Sequence, residues 1–283
     1  MTNKSLIAVW GSPNSGKTIT VVKLAQALAA RNQNVLILCC DALCPSLATI
    51  APRGADNHAS LGQLLSLPAL TQEELLRYAL PLDVSPHIAL LGYKKGDTAF
   101  TYAAYDRDRA VDLLTLARHL ADVVLVDCAS YLSADPLSTV ALELADSVIR
   151  LHHCDLKSLM FYASYLPLLA DARFRRSALV PILSNVKLEQ DHREYSQVFG
   201  GVQVMLPHVA QLEQQAASAR LLEDLSGKEA AVYQAAIQNI LGLLFPQEPE
   251  APSRPRSPSA VDPTGKITAV LQRLWPKRRG EKE

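Results

Sequence analysis

The chain has 283 residues, of which 49% are hydrophobic and 20% are charged, as expected for a soluble globular protein with one substantial core. Its 28 Lys and Arg residues balance 28 Asp and Glu residues, so no net charge draws the whole molecule to DNA or to a membrane surface. No apolar run approaches the length needed to span a bilayer, so the sequence does not predict a transmembrane protein.

Short apolar, β-branched runs alternate along the chain with longer stretches of helical period. This alternation is typical of βαβ units, so the sequence predicts an α/β fold with a mainly parallel, twisted sheet flanked by helices on both faces. The predicted strands cover residues 6–10, 34–40, 87–91, 122–127, 147–151, 178–184 and 202–206. The clearest predicted helices carry the apolar stripe Val21, Leu24, Ala25 and Leu28, or cover residues 107–120 and 228–245.

The five cysteines lie in or beside apolar runs. Cys39, Cys40 and Cys44 are close together, but no second Cys or His pair stands at zinc-site spacing, so they are interpreted as ordinary buried or loop thiols. The amino terminus is a short polar lead without a secretory signal, and a reducing cytoplasm is the expected location.

The segment 11–18, GSPNSGKT, has the pattern of a phosphate-binding loop. Gly11 and Gly16 stand at the required spacing, because glycine lets backbone N–H groups converge on an anion. Lys17 is expected to reach the β- and γ-phosphates and Thr18 to bind magnesium, at the N-terminus of the helix that follows. The predicted nucleotide contacts from this region are Gly11, Ser12, Pro13, Asn14, Ser15, Gly16, Lys17, Thr18 and Ile19. The sequence therefore predicts a site for a nucleoside triphosphate with Mg²⁺.

The run 123–127, VVLVD, is an apolar strand that ends in an acid. A carboxylate in this position can hold the magnesium water shell, so Asp127 is predicted to lie on the metal side of the site together with Thr18. A helix cap or turn residue after a strand is the alternative interpretation of Asp127.

The loop, Asp41 and Asp127 make the chain resemble the MinD/ParA family of P-loop ATPases over roughly residues 4–245. The stretches ADSVIRLHHCDLKSL at 145–159, ILSNVK at 182–187 and MLPHVAQLEQQAASAR at 205–220 also resemble the family. The resemblance implies a P-loop NTPase fold, ATP and Mg²⁺ as cofactors, and an ATP-dependent homodimer.

The resemblance also implies roles for single residues outside the loop. Asp41 stands 24 positions after Lys17, where the family has an aspartate that orients the attacking water, so Lys17 and Asp41 are the candidate catalytic residues. Asn185 would contact the adenine and Pro207 would pack near it. For Asp41, a turn residue that opens the loop DALCPS is the alternative.

Two positions depart from the family pattern. Ser12 stands where the family places a lysine that reaches the partner's phosphates, and Cys39 stands where the first of two aspartates is expected. Lys94 or Lys95 is a candidate to supply the missing charge, although solvated loop lysines are the alternative. A nucleotide-binding scaffold with poor hydrolysis therefore stays open as a second function.

Two further classes of protein share this type of fold. Guanine-specific GTPases carry a base-reading motif that NVKL at 185–188 does not supply, which favours ATP over GTP. ATP-dependent small-molecule ligases are the other class, but no substrate-binding constellation is recognisable in the sequence.

The composition changes after residue 246, which closes the predicted nucleotide-binding domain, residues 1–246. Residues 247–263 form a predicted Pro-rich, disordered linker, and residues 264–283 a basic tail with an amphipathic helix whose apolar positions are 267, 270, 271, 274 and 275. Residues 264–280 carry five positive groups and no negative one, which suits an anionic membrane surface. A protein partner, the chain's own domain or no partner at all are the alternatives, and DNA is disfavoured by the acidic body.

These features lead to one expected function. The chain is interpreted as a slow, partner-stimulated ATPase that switches between nucleotide states while positioning or partitioning cargo, such as DNA or a secretion or pilus assembly. The expected location is the cytoplasm, at the inner face of the membrane if the tail binds lipid.

Overall fold

The computed structural model describes residues 4–55, 59–174 and 178–246. The predicted linker, residues 247–263, and the predicted amphipathic tail, residues 264–283, lie outside the described residues. The domain boundary at residue 246 therefore stays a prediction. Within the described ranges, no helix has the length and apolar character required to cross a bilayer.

Eight strands form one sheet in the order β3-β4-β2-β5-β1-β6-β7-β8. Neighbouring strands are parallel except for β3 and β4, which are antiparallel. The strands are β1 Ser5–Gly11, β2 Val35–Cys39, β3 Leu80–Leu82, β4 Ser85–Gly92, β5 Val123–Asp127, β6 Ser147–His152, β7 Leu179–Val186 and β8 Val204–Pro207.

Helices connect the strands and cover both faces of the sheet. They are α1 Lys17–Ala29, α2 Leu47–Ile50, α3 Pro52–Ala55, α4 Leu61–Leu65, α5 Gln72–Tyr78, α6 Arg107–Leu120, α7 Pro136–Leu144, α8 Leu156–Leu169, α9 His192–Val198, α10 Ala210–Ala217 and α11 Lys228–Leu244, with a 3₁₀ turn at Leu132–Ala134.

The two-residue period of β1 divides its side chains between two cores. Leu6, Ala8 and Trp10 belong to one hydrophobic cluster, whereas Ile7 and Val9 belong to the cluster on the other face. The second cluster also contains the predicted stripe of α1 and the apolar face of α11. A strand buried on both faces reads as a continuous apolar run, which is why the central strands were recognisable in the sequence.

All seven predicted strands are present, so the predicted α/β fold is confirmed. The additional strand, β3, has three residues including Pro81 and pairs at the sheet edge. So short a strand, with a proline that cannot donate to the ladder, leaves no periodic signal in the sequence.

The carboxyl ends of the parallel strands share one edge of the sheet. Val9 pairs with Asp127, Cys39 pairs with Asp127 from the other side, and Gly11 pairs with Leu151. Loops that follow these strands therefore meet at one edge, which is where ligands bind in open α/β sheets.

Candidate nucleotide-binding site

The predicted phosphate-binding loop connects β1 directly to α1. β1 ends at Gly11 and α1 begins at Lys17. Gly16 has φ 80° and ψ 22°, and Asn14 has φ 63°, so two of the intervening residues adopt the left-handed conformation. The backbone N–H of Ser15 donates to the carbonyl of Ser12 at 3.1 Å. These turns give the loop the curvature that a phosphate cradle needs.

Gly11 is required by a close approach of two backbones. A Cβ atom at this position would lie 2.3 Å from the carbonyl oxygen of Leu151 and 2.7 Å from Ser15 Oγ. The carbonyl belongs to the ladder between β1 and β6, so it cannot move aside without breaking the pairing. Only glycine fits here.

Serine hydroxyls attach the loop to the neighbouring elements. Ser184 Oγ, on β7, donates to the carbonyl of Ser15 at 2.7 Å. Ser12 is 5% exposed, and its Oγ lies 3.4 Å from Ser158 Oγ in the first turn of α8. The side chain at position 12 therefore contacts the chain's own α8.

Lys17 extends along the inside of the loop. Its Nζ donates to Ser130 Oγ at 2.7 Å and to the carbonyl of Ser12 at 3.3 Å. Burial lowers the pKa of Lys17, while the negative charges of Asp127 and Asp41 act in the opposite direction. A phosphate oxygen could bind this ammonium group by replacing only two neutral acceptors, the Ser130 hydroxyl and the Ser12 carbonyl.

Thr18 and Asp127 contact each other across the edge of the sheet. Thr18 Oγ1 donates to Asp127 Oδ2 at 2.6 Å. Asp127 is 4% exposed, and burial raises its pKa to about 6, against the opposing effects of the Thr18 hydrogen bond and the Lys17 charge. Its Oδ1 has no hydrogen-bond partner among the described residues. A buried carboxylate oxygen without a partner is unfavourable unless a cation or its water shell completes it.

These residues fit Mg-ATP. A curved loop at the N-terminus of a helix can offer backbone N–H groups to phosphate oxygens. The unpartnered Oδ1 of Asp127 and the Thr18 hydroxyl bound to Oδ2 are hard oxygen ligands, which suit magnesium. The buried Ser15 Oγ is also without a partner in the described part of the chain. Loop, lysine, hydroxyl and carboxylate thus meet as the sequence predicts.

Asp41 follows β2 and forms a turn. Its Oδ1 accepts the backbone N–H groups of Leu43 at 2.9 Å and Cys44 at 3.0 Å. Asp41 therefore has the turn geometry of the alternative interpretation. Its role in orienting the attacking water stays a prediction. Asp41 is close enough to act electrostatically on both Lys17 and Asp127. Cys39, at the preceding expected acid position, is fully buried opposite Asp127, and its pKa is raised to about 12 by burial.

The predicted base-side residues are brought together at the end of β7. Asn185 has φ 53°, and its Oδ1 lies 2.7 Å from His208 Nδ1. Pro207 pairs with Val186, directly after Asn185, so the tips of β7 and β8 are adjacent. Among the other predicted contacts, Pro13 is half-buried, Asn14 is exposed, and Ile19 packs against the core. Their contact with nucleotide stays a prediction.

Three polar residues at the site were missed by the sequence analysis. Ser130 holds Lys17, Ser184 holds the loop carbonyl of Ser15, and His208 holds Asn185. Each lies within three positions of a residue that was singled out: Asp127, Asn185 or Pro207. That proximity is the only signal the sequence contains for them, because their partners are distant along the chain.

The candidate replacement lysines follow β4. Lys94 is half-buried and its backbone N–H donates to Asp97 Oδ2 at 3.0 Å, while Lys95 is exposed. Neither side chain takes part in the contacts of Lys17, Thr18 or Asp127 described above. Their role as a charge source stays a prediction.

The four other cysteines divide between buried and exposed positions. Cys40, Cys128 and Cys154 are buried and Cys44 is exposed, and all are free thiols, as is Cys39.

Comparison with solved structures identifies the fold. The cell division ATPase MinD from Pyrococcus furiosus superposes with a TM-score of 0.66 at 16% identity, over 85% of this chain and 99% of that chain. A ParA family ATPase from Chlorobium tepidum superposes with a TM-score of 0.66 at 17% identity, over 83% and 97%. The septum site-determining protein MinD from Pyrococcus horikoshii, complexed with Mg-ADP, gives 0.65 at 16% identity, over 85% and 99%.

No protein-family model matches the chain, and no curated protein matches its sequence. The structural likeness covers 83–85% of this chain and 97–99% of the three solved chains. The chain therefore has the fold of the MinD/ParA P-loop ATPases.

Proposed function

We propose that this protein is a MinD/ParA-like switch that binds Mg-ATP and uses its nucleotide state to position or partition cargo. The observation that carries the proposal is the meeting of Thr18 and Asp127 beside a loop that admits only glycine at position 11. The fold and the Mg-ADP complex of the Pyrococcus horikoshii relative support it.

Each residue of the site has a distinct task in this proposal. The loop amides and Lys17 bind the phosphates, Thr18 and Asp127 hold the metal and its water, and Asp41 orients the attacking water. Bound Mg²⁺ would neutralise charge on the phosphate oxygens. Asn185 and Pro207 are proposed to hold the base, and the contact of 2.7 Å between His208 Nδ1 and Asn185 Oδ1 would orient the amide of Asn185.

A second candidate is a nucleotide-binding scaffold with slow hydrolysis. Two observations favour it: Ser12 is turned into a contact with Ser158, and a buried thiol, Cys39, replaces an acid beside Asp127. Position 12 then contributes no charge to a partner's phosphates. An ATP-dependent homodimer, if formed, would need a different source of that charge.

Lys17→Ala tests nucleotide binding directly. We expect the affinity for ATP to fall at least about 100-fold, because a charge-assisted contact to phosphate is lost from a buried site. Lys4→Ala, which removes an exposed lysine ahead of β1, at the other end of this strand from the phosphate-binding loop, is the matched control and should bind as the unmodified protein does. Equal ATP affinity in Lys17→Ala and the unmodified protein would disprove the proposed site.

Turnover separates the switch from the scaffold. The purified full chain is assayed for Mg²⁺-dependent ATP hydrolysis alone, with anionic vesicles and with DNA. Stimulated hydrolysis supports the switch, whereas tight ATP binding without turnover under all three conditions supports the scaffold.

The basic tail, residues 264–280, is proposed to bind an anionic membrane surface and so to place a cytoplasmic protein at the membrane's inner face. About 1 kcal/mol per basic residue near such a surface makes reversible attachment feasible. The full chain and a chain that ends at Pro246 are sedimented with anionic vesicles and, separately, with DNA. Loss of vesicle binding on truncation supports the tail proposal, and unchanged binding excludes it.

A further inference from the structure

A cavity of about 300 Å³ opens beside the candidate nucleotide site. Its walls come from the loop after β2, the loop between β4 and α6, and the loop after β5. Asp41 belongs both to this cavity and to the surroundings of Lys17, so the cavity and the phosphate loop share one carboxylate.

The wall formed by the loop between β4 and α6 is held by a buried carboxylate. Asp97 accepts hydrogen bonds from Ser60 Oγ, from the N–H of Lys94 at 3.0 Å and from Tyr102 OH at 3.1 Å. Tyr102 lies so close to Gly62 that a Cβ there would come 2.0 Å from its ring. The hydrogen bonds of Asp97 and the packing of Tyr102 on Gly62 therefore fix the shape of this wall.

The opposite wall is fixed in the same way. Asp135 accepts Tyr105 OH at 2.6 Å and the backbone N–H groups of Leu137 and Ser138 at 3.2 and 3.0 Å, as the N-cap of α7. The hydroxyls of Tyr102 and Tyr105 thus donate hydrogen bonds to the protein's own carboxylates, Asp97 and Asp135. These tyrosines contribute aromatic surface to the cavity.

The charged side chains that line the cavity, among the described residues, are all acidic. Tyr93, Tyr102, Tyr105 and Tyr131 surround it with five alanines, Asp41 and Asp135 carry negative charge, and no Lys, Arg or His occurs among the described residues that line it. Asp135 has its oxygens satisfied, but Asp41 Oδ2 accepts no hydrogen bond within the described part of the chain. Aromatic rings with a free carboxylate are the chemistry that recognises an organic cation.

We propose that this cavity binds an ammonium or guanidinium group carried on a short apolar stem, with Asp41 Oδ2 as the anionic contact and the tyrosine rings around the cation and its stem. Tyr131, which is half exposed, lies at the mouth. The cation belongs either to a free small molecule or to a basic side chain of a partner. Its positive charge would stand next to the phosphate site, where Ser12 supplies none.

The probe is butylguanidinium, titrated by NMR into the nucleotide-free full chain, with the neutral butylurea as its isostere. Because no nucleotide is present, the result does not depend on whether the proposed ATP site is correct. We expect butylguanidinium to bind about tenfold more tightly than butylurea, as a cation–π contact with a carboxylate partner predicts.

Two variants and one control locate the site. Asp41→Asn removes the charge but keeps the Oδ1 acceptor of the turn, and Tyr131→Leu removes a ring that is half exposed, so both should fold. Each is expected to weaken butylguanidinium binding about tenfold. Asp83→Asn, an exposed acid at the opposite end of β4, should leave it unchanged.

A pair of capped tripeptides, Gly-Arg-Gly and its citrulline counterpart, distinguishes the sources. Binding of the arginine peptide at least as tight as that of butylguanidinium favours a partner's side chain, and binding of butylguanidinium alone favours a free molecule. Equal binding of butylguanidinium and butylurea, no binding of either, or binding unaffected by both variants would overturn the proposal.

Discussion

Thr18 and Asp127 lie 109 positions apart in the chain, yet Thr18 Oγ1 donates to Asp127 Oδ2 at 2.6 Å. The contact exists because β1 and β5 are adjacent and parallel, so the last residue of β5 meets the start of the helix that follows β1 at one edge of the sheet. A hydroxyl and a buried carboxylate are thereby placed together, as the proposed metal site requires.

The first prediction concerns that charge. Asp127→Asn keeps an acceptor for Thr18 but removes the buried negative group, so the nucleotide-free protein should gain stability on the order of 1–3 kcal/mol at pH 7. Mg²⁺-dependent strengthening of ATP binding should disappear. Urea unfolding and nucleotide titration with and without Mg²⁺ measure the two effects. A variant that is less stable than the unmodified protein, while Asp83→Asn is neutral, would contradict this account.

The second prediction follows from the pKa of Asp127, which burial raises from 3.8 to about 6. Between pH 4 and pH 6 the folded protein keeps a proton that the unfolded chain has released, so this group lowers stability as the pH rises through that window. The stability advantage of Asp127→Asn should therefore be largest above about pH 6 and vanish below about pH 4. The free energy of unfolding of both proteins, measured across this pH range, tests the prediction. A difference in that free energy that does not change with pH would refute it.

Metal binding should show the opposite trend with pH. Mg²⁺ requires the ionised carboxylate, so its affinity in the presence of nucleotide should increase as the pH rises to about 6 and level off above it. Isothermal titration of Mg²⁺ at several pH values measures the trend. In Asp127→Asn this increase of Mg²⁺ affinity with pH should be absent. The variant therefore separates the titration of Asp127 from the titration of the nucleotide.

The third prediction compares two glycines. Gly11→Ala should cost several kcal/mol or prevent folding, because its Cβ would lie 2.3 Å from the carbonyl oxygen of Leu151. Gly242→Ala should stabilise by up to about 1 kcal/mol, since Gly242 lies in α11 with no atom within 4 Å of an added Cβ. Thermal unfolding ranks the pair. Similar midpoints for both variants would show that the close approach at Gly11 is not rigid.

The fourth prediction concerns position 12, where this chain has Ser12 in place of the lysine of the family that it resembles. Ser12→Lys should destabilise the protein by about 1–3 kcal/mol, because a long cation must enter a site packed against Ser158 at the N-terminus of α8. It should not raise ATP hydrolysis. Ser12→Ala should be nearly neutral for stability. Increased turnover by a stable Ser12→Lys protein would instead show that the side chain is free to leave α8.

Much of the fold could be predicted because the central strands are short, continuous apolar runs. The apolar run of β1, whose side chains divide between the two cores, is contiguous and therefore visible in the sequence without any neighbour. β3 was missed because its pairing to β4 depends on the edge of a sheet that other strands build.

The sequence by itself determined the phosphate-binding loop, its lysine and hydroxyl, and the acid at position 127, because glycine spacing and a strand-loop-helix order are properties of contiguous residues. Only the tertiary structure decided that Ser130 holds Lys17, that Ser12 faces Ser158, and that four tyrosines line one cavity with Asp41. Those contacts join residues from different strand ends, and strand order in a sheet is set by packing of the whole chain.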